Sequence, residues 1–460
     1  MAVNKNVTWK EYNGTDYDNL YPITKDSNVL LSSESKENLG ITVDGATISD
    51  MVTSLTGSDY GALRVGDTLT TIRTDMGSKW LLCNGASVYE NQYPELYNLL
   101  PPVDYTQSAN WGKVTLSTPP SKYKARRSWY ENGYWLLHSS FQPSQTIIDV
   151  DQYLYYTQDP LATNYVQDST WNKRYSIDDM VYFNGQYVAL RMAVINDVHY
   201  AYLYTKNNIT SSDAWVENKL FNTSATIYVK RMLVYHNKLF IYYVAPYTQA
   251  FPVYVGSTIN AMADISGQNM IGSLGVANDT LYGVGCSGSN YSIVKYNEEL
   301  NAFDTVQDIT DLIKQYLTGS VQLYSAYFYH INGTYWCIFN NTSRNVSDDN
   351  INVFLTSEDG ATWTVRAKSG TGGTPVFAYA NGLFLRGGAT YGVTMQKLEN
   401  VIGDNFSWLS APISSSTGQI VSGNNYNITY NNNTVYNMKG GKVLPTISVA
   451  DTYTYIKAKT

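Results

Sequence analysis

Residues able to do chemistry are sparse in this chain. Its four histidines, His138, His199, His236 and His330, stand far apart and show no metal-ligand spacing. His236 and His330 fall beside turn motifs, where packing at a strand end is their expected role. There is no Gly-x-Ser-x-Gly elbow and no phosphate-binding loop. Ten arginines are scattered, with only Arg126 and Arg127 adjacent. A carboxylate pair for glycan hydrolysis would have to be assembled from distant segments, for example Asp348 or Asp349 with a remote partner. The three cysteines, Cys83, Cys286 and Cys337, are odd in number and sit in apolar strand-like runs such as Tyr335-Trp-Cys337-Ile-Phe. Buried free thiols are the expectation, and stability then comes from packing. No catalytic residue, no metal site and no cofactor are expected.

The elements that carry these residues are β-rich. Of 460 residues, 42 are Tyr and only 15% are charged, against 43% hydrophobic. That balance describes an extracellular or virion surface built on strands rather than a helical enzyme. The net charge is −7, and residues 1–60 contribute −5 of it, with Lys5, Lys10, Lys25 and Lys36 against nine Asp and Glu. No basic stripe is present, so nucleic acid is not an expected partner. No run approaches ~18 apolar residues, so no membrane insertion is expected. The N-terminal residues lack the apolar core of a signal peptide. A secreted-looking composition without a secretion signal suits a virion component, made in a host cytoplasm.

A repeat of about fifty residues dominates the chain. An aromatic strand, an Asn-Gly-type turn and a second aromatic strand recur, with anchors at Asn132, Asn184, Asn237, Asn278, Asn332, Asn381 and Asn432. The spacings are 52, 53, 41, 54, 49 and 51. Asn-Gly accepts positive φ at both central positions, as a type I′ hairpin requires. Fifty residues hold four short strands, which is one blade of a β-propeller. The last unit stops after Tyr436-Asn-Met438, and a matching half-unit, Val103 to Leu116 with Trp111, lies upstream. The spacing therefore predicts seven blades, the seventh completed by residues near 103–116.

Particular motifs extend this reading. Ser357-Glu-Asp359-Gly360-Ala-Thr-Trp363 matches the Asp-box pattern, and the chain here resembles sialidase-type and related propellers; in that family the box is a structural turn away from the active site. The Arg-Ile-Pro signature of sialidases is absent. Trp80-Leu-Leu-Cys83-Asn84-Gly85 before the ring, and Leu444-Pro-Thr-Ile447 with Tyr455-Ile-Lys457 after it, resemble the two ends of the phage tail-collar domain. Val7-Thr-Trp-Lys-Glu-Tyr resembles the opening of tail-fibre proteins from phages of Gram-positive bacteria. These resemblances imply a mainly β chain: a seven-bladed propeller inserted in a small tail-collar-like α+β domain, with an N-terminal stem. The expected boundaries are 1–64 for the tail-attachment stem, 65–102 for the first collar part, 103–441 for the propeller and 442–460 for the collar's closing strand.

The function implied is that of a receptor-binding tail fibre, recognising host cell-surface polysaccharide without catalysis; the alternative is a tail-associated glycan hydrolase on a sialidase-like propeller. Other phage tail or baseplate proteins, met through the N-terminal segment, and a homotrimer are implied by the same resemblance. In a four-stranded blade the turns joining strands one to two and three to four share one face. The two-to-three loops and the blade connections share the other, and there the loops are longer and more varied. The expected ligand residues on that face are Phe141, Tyr200, Tyr247, Phe251, Tyr291, Arg344, Asp349 and Tyr391. Aromatic faces stack on sugars, and an Arg–Asp mixture bonds hydroxyls.

Overall fold

The structure is a computed structural model. It describes the strands Trp9–Tyr12 and Tyr17–Leu20, residues 64–444, Ile447 and residues 453–458. Within 64–444 the stretches 72–75, 77–78, 85–86, 90–91, 102, 142–150, 196–197, 224–228, 245–252, 266–272, 288–289, 315–322, 342–350, 371–375, 389–391, 405 and 416 are not described.

Two compact units are present, residues 1–101 with 443–460, and residues 102–442. In the first, strands Thr68–Thr71 and Trp80–Leu82 flank Tyr453–Lys457 in one antiparallel sheet. A short helix, Pro94–Leu99, adds Leu96 to a core shared by Cys83, Val88, Leu444 and Ile456. Residues from both ends of the chain thus build one core. Strand Trp9–Tyr12 pairs antiparallel with Tyr17–Leu20.

The second unit is a seven-bladed β-propeller. Blade 1 runs outward through Lys124–Glu131, Tyr134–Phe141, Asp151–Thr157 and Val166–Gln167. Blades 2 to 6 follow in sequence within 179–223, 229–264, 274–308, 323–370 and 376–410. Blade 5 adds a parallel edge pair, Gly403–Asp404. Seven apolar clusters each span two consecutive blades and close the circle. The wedges are filled by large rings, among them Trp135, Trp336, Trp363, Tyr187 and Phe354, all essentially inaccessible. Each such residue buries apolar area worth roughly 1.5–3 kcal/mol, which explains how a chain with two buried free thiols, Cys83 and Cys337, holds together.

The type I′ turns stand where the Asn-Gly pattern places them. Asn132, Asn184, Asn332 and Asn381 have φ of 47°, 48°, 51° and 50°, each followed by a positive-φ Gly. In blade 3 the central pair is His236-Asn237 and in blade 4 Asn278-Asp279.

Blade 7 departs from the sequence reading. Its strands are Val421–Gly423, Tyr426–Asn431, Thr434–Met438 and, outermost, Trp111–Thr115. The strand 1–2 turn is therefore Asn424-Asn425, with φ of 42° and 65°, and Asn432 sits in the strand 2–3 turn. Side-chain direction confirms the assignment. Val188 and Leu190, on strand 2 of blade 2, point to blade 3 from positions four and six past Asn184. Ile428 and Tyr430 point to blade 1 from the same positions past Asn424. The N-terminal segment thus supplies one strand, the fourth, and the chain leaves the ring after the third. Two consecutive Asn-rich turns, both of which tolerate positive φ, made the wrong one fit the fifty-residue spacing.

Buried ion pairing ties the ring at blades 1 and 2. Lys206 Nζ lies 3.1 Å from Asp168 Oδ1, with side-chain exposures of 0% and 2%. Trp215 Nε1 donates to the other carboxylate oxygen at 2.8 Å. Removing one partner leaves an uncompensated buried charge. Lys206→Met is expected to lower unfolding free energy by about 3–5 kcal/mol, and Asp168→Asn with Lys206→Met by less than the single change. Urea titrations of the two variants measure this; equal losses would contradict it.

Candidate ligand-binding face

The strand 1–2 turns define one face of the ring, the turn face. The entry and exit segments of the propeller lie against it. Tyr105 Oη donates to the Lys439 carbonyl at 2.6 Å. Asn381, at the tip of the blade 6 turn, donates from Nδ2 to Tyr105 Oη at 2.8 Å and to the Lys439 carbonyl at 3.2 Å. The Lys439 amide donates to the Asn110 carbonyl. Both chain crossings therefore occupy the turn face. The opposite loop face, carrying the strand 2–3 loops and the blade connections, holds neither.

At the loop-face end of blade 1 the described residues form an aromatic platform with charges around it. The Tyr123 ring centroid lies 5.1 Å from Phe141 and 5.0 Å from Tyr153. Lys122 Nζ stands 4.6 Å from the Phe141 centroid. Tyr153 Oη donates to Asp151 Oδ2 at 3.1 Å, and Lys173 Nζ lies 3.7 Å from the same oxygen. Arg126 Nε donates to Ser140 Oγ at 2.6 Å. In blade 2, Arg191 lies over the Tyr175 ring at 3.5 Å, and Tyr200 and Tyr202 run in line at 6.1 Å.

Deeper in the ring a charged network joins blades 1, 2 and 3. Asp179 accepts from Trp129 Nε1 and from the Met232 amide, both at 2.7 Å, so one carboxylate stitches three blades. Arg231 approaches Asp179 at 3.9 Å, and Arg127 approaches Asp178 at the same distance. Burial is the largest single influence on the Arg231 charge and opposes it, but Asp179, Tyr327, Tyr242 and Asp178 together outweigh it and the pKa rises. Arg127 is lowered by burial first and by Arg231 second. His138, buried against this network, is driven down to about 3, chiefly by burial and then by Arg127, and is neutral. Its Nε2 lies 2.8 Å from Gln152 Oε1. These residues were missed in the sequence because their partners come from different blades. One signal was present: Arg127, Asp179, Arg231, Tyr327 and Gln419 all stand five residues before the first residue of a type I′ turn, at 132, 184, 236, 332 and 424.

Of the residues expected to bind ligand, Phe141 lies in the aromatic platform and Tyr200 in the blade 2 row, both half-buried. Tyr291 does not qualify. It is the second residue of its strand, only 2% exposed, with its ring 5.7 Å from Phe339 between blades 4 and 5. Strand 3 has already entered the wedge there, and the ring is core. Tyr247, Phe251, Arg344, Asp349 and Tyr391 lie outside the described residues, as does Asp348. The Ser357–Trp363 turn faces the turn side: Asp359 accepts backbone N–H groups of Ala361 and Thr362 at 2.8 and 2.7 Å, which holds its carboxyl well below the ordinary range. Gly360 there has φ +72°, and an added Cβ would strike Tyr282 Oη. Among the described residues no group of His, Cys, Asp and Glu converges as a metal site, and no helix is long and apolar enough to cross a membrane.

No family model matches the chain, and no curated protein does. Solved structures match in fold. The WD40 propeller domain of Doa1 aligns at 10% identity and a TM-score of 0.42, over 71% of this chain and 95% of that one. The WD40 domain of Toxoplasma gondii coronin aligns at 8% identity and 0.41, over 78% and 90%. A family 117 glycoside hydrolase from Zobellia galactanivorans aligns at 10% and 0.28, over 51% and 86%. The chain is similar to these as a propeller.

Glu131 closes strand 1 of blade 1 and accepts from the Tyr182 amide at 3.0 Å. Burial raises its carboxyl from 4.5 to about 7. Between those values the folded protein binds a proton that the unfolded chain has lost, so stability falls as pH rises through the window. Glu131→Gln is expected to exceed the parent in stability at pH 8 by about 1–3 kcal/mol, and to match it at pH 4. Thermal melts at both pH values decide; an advantage independent of pH would contradict the burial of this carboxyl.

Proposed function

We propose that this chain is the receptor-binding tail-fibre protein of a bacteriophage or phage-like particle, and that it recognises host cell-surface glycan through the propeller's loop face without catalysis. One observation carries the choice of face: both chain crossings lie at the turn face, beside Asn381 and Lys439, and neither lies at the loop face. The aromatic platform of Tyr123, Phe141 and Tyr153 is the surface on which sugar rings stack.

The particle assignment rests on the tail-collar-like sequence at Trp80–Gly85 and Leu444–Lys457, and on the core that those segments share. On this reading the N-terminal segment docks on other tail or baseplate proteins, the chain assembles as a homotrimer, and the protein is part of the virion. The network in the ring interior supports binding over hydrolysis. Asp179 spends both oxygens on Trp129, Met180 and Met232, so it is committed to holding blades together and is not poised as an acid or nucleophile.

Adsorption of the full chain to intact bacteria from a panel of Gram-positive strains tests the reading. Phe141→Ala combined with Tyr123→Ala is expected to weaken adsorption at least tenfold with the melting temperature of the propeller retained. Asn132→Ala with Asn332→Ala, on the turn face, is expected to leave adsorption intact. The reverse pattern would show that the turn face binds, and release of oligosaccharide from the wall polymer would replace the fibre with the glycan hydrolase.

A further inference from the structure

At the first position of the strand 1–2 turn, six blades carry asparagine, Asn132, Asn184, Asn278, Asn332, Asn381 and Asn424, and blade 3 carries His236. Three of these amides bond off their own blade. Asn184 Nδ2 donates to the Ser257 carbonyl of blade 3 at 2.7 Å, and Asn278 Nδ2 donates to Tyr335 Oη of blade 5 at 2.8 Å. Asn381 Nδ2 donates to Tyr105 Oη, in the segment that leads into strand 4 of blade 7, at 2.8 Å. The position thus ties a blade to its neighbour through a neutral amide. His236 makes the same kind of tie to blade 4 with a group that titrates.

His236 stands at φ 44°, a region that few residues besides glycine enter and that histidine enters more readily than most. Its Nε2 lies 2.8 Å from Asp279 Oδ1, in the strand 1–2 turn of blade 4, and its Nδ1 bonds Glu298 Oε1, in the strand 3–4 turn of that blade. The Tyr235 ring stacks on the imidazole with centroids 3.9 Å apart, and Tyr235 Oη donates to the Asp279 carbonyl at 2.9 Å. The other charged neighbours are Lys238, whose Nζ donates to Tyr296 Oη at 2.8 Å, and Glu299, whose amide donates to Asn297 Oδ1 at 3.1 Å. An ionised carboxylate only accepts, and a neutral imidazole carries a single N–H. Both contacts therefore exist together only on the imidazolium; on the neutral ring one nitrogen would turn a lone pair toward a carboxylate. The hydrogen bonds to Asp279 first and Glu298 second accordingly raise the His236 pKa above its ordinary value of 6.5.

We propose that His236 is a pH-sensitive clip between blades 3 and 4: as the imidazolium it bridges Asp279 and Glu298 and fastens the two blades at the turn face, and on losing its proton it keeps one carboxylate and releases the other. With 41% of its side chain exposed, the ring exchanges protons directly with solvent. Because the folded pKa is raised, the clip contributes in full below the unfolded value of about 6.5, for as long as the carboxylates stay ionised. Its contribution is lost as pH rises through the folded value. The two blades are thus held more tightly in mildly acidic than in alkaline medium, whatever the propeller binds.

An NMR titration of the full chain, labelled at histidine Cε1, tests the clip, with the His236 signal identified by its loss in His236→Asn. Its midpoint is expected above the value of about 6.5 of a free histidine, lowered by Asp279→Asn, by Glu298→Gln and furthest by both together. A midpoint at or below that of a free histidine, or one that the double variant leaves unchanged, overturns the clip. Thermal melts then read whether it fastens the fold. Asparagine is the residue that the other six blades carry at this position, so His236→Asn keeps the turn and removes only the charge. The parent is expected to melt about 1–2 °C above His236→Asn at pH 6, with a smaller difference at pH 9. An equal difference at both pH values, or none at either, overturns the fastening of blade 3 to blade 4.

Discussion

Everything in the propeller depends on the hydrogen-bonded seam between Thr434–Met438 and Trp111–Thr115. A sheet left open there would expose an unpaired strand edge, which recruits other chains. Seven blades packed as wedges also need a last blade of full width, since the clusters between blades 6 and 7 and between 7 and 1 draw on Trp111, Val114 and Leu116 from the N-terminal segment. The seam therefore supplies both edge protection and core, and it couples residues more than three hundred positions apart.

The same seam decides at which face the chain enters and leaves the ring. Because the borrowed strand is the fourth of its blade, the chain enters and leaves at the ends of strands three and four, on the turn face. Had two strands been borrowed, as the spacing of Asn432 implies, the exit would have fallen on the loop face. A change of one strand in the closure thus moves the exit of the chain to the other face of the ring.

The architecture was legible in the sequence wherever local chemistry fixes the backbone. Asn-Gly pairs mark type I′ turns because few other residues accept two positive φ values in succession, and their recurrence betrayed the blades. Asn278-Asp279 was legible for the same reason, whereas in blade 3 the anchor Asn237 is the second turn residue, after His236, and not the first as its alignment with Asn132 implied. Reading failed where two such turns compete, at Asn424-Asn425 and Asn432, and there the in-out parity of Ile428 and Tyr430 held the answer. The site was far less legible. Phe141 was placed at the loop face because it ends an aromatic strand before a loop, but Tyr291 shows that proximity to a loop does not imply exposure. Arg127, His138 and Asp179 were invisible as a group, since a propeller brings together residues equivalent in repeat position rather than near in sequence.

A disulfide across the seam tests the closure most directly. A Cβ built at Gly112 lies 3.6 Å from the Cβ of Asn437, within the span of roughly 3.5–4.5 Å that disulfides adopt. In the protein carrying Gly112→Cys and Asn437→Cys, a bond is expected to form under mild oxidation, to shift mobility on a non-reducing gel, and to raise the melting temperature reversibly with reductant. Failure of the two thiols to join in the folded protein, while each single variant melts as the parent does, would show that the N-terminal strand does not close the ring at blade 7.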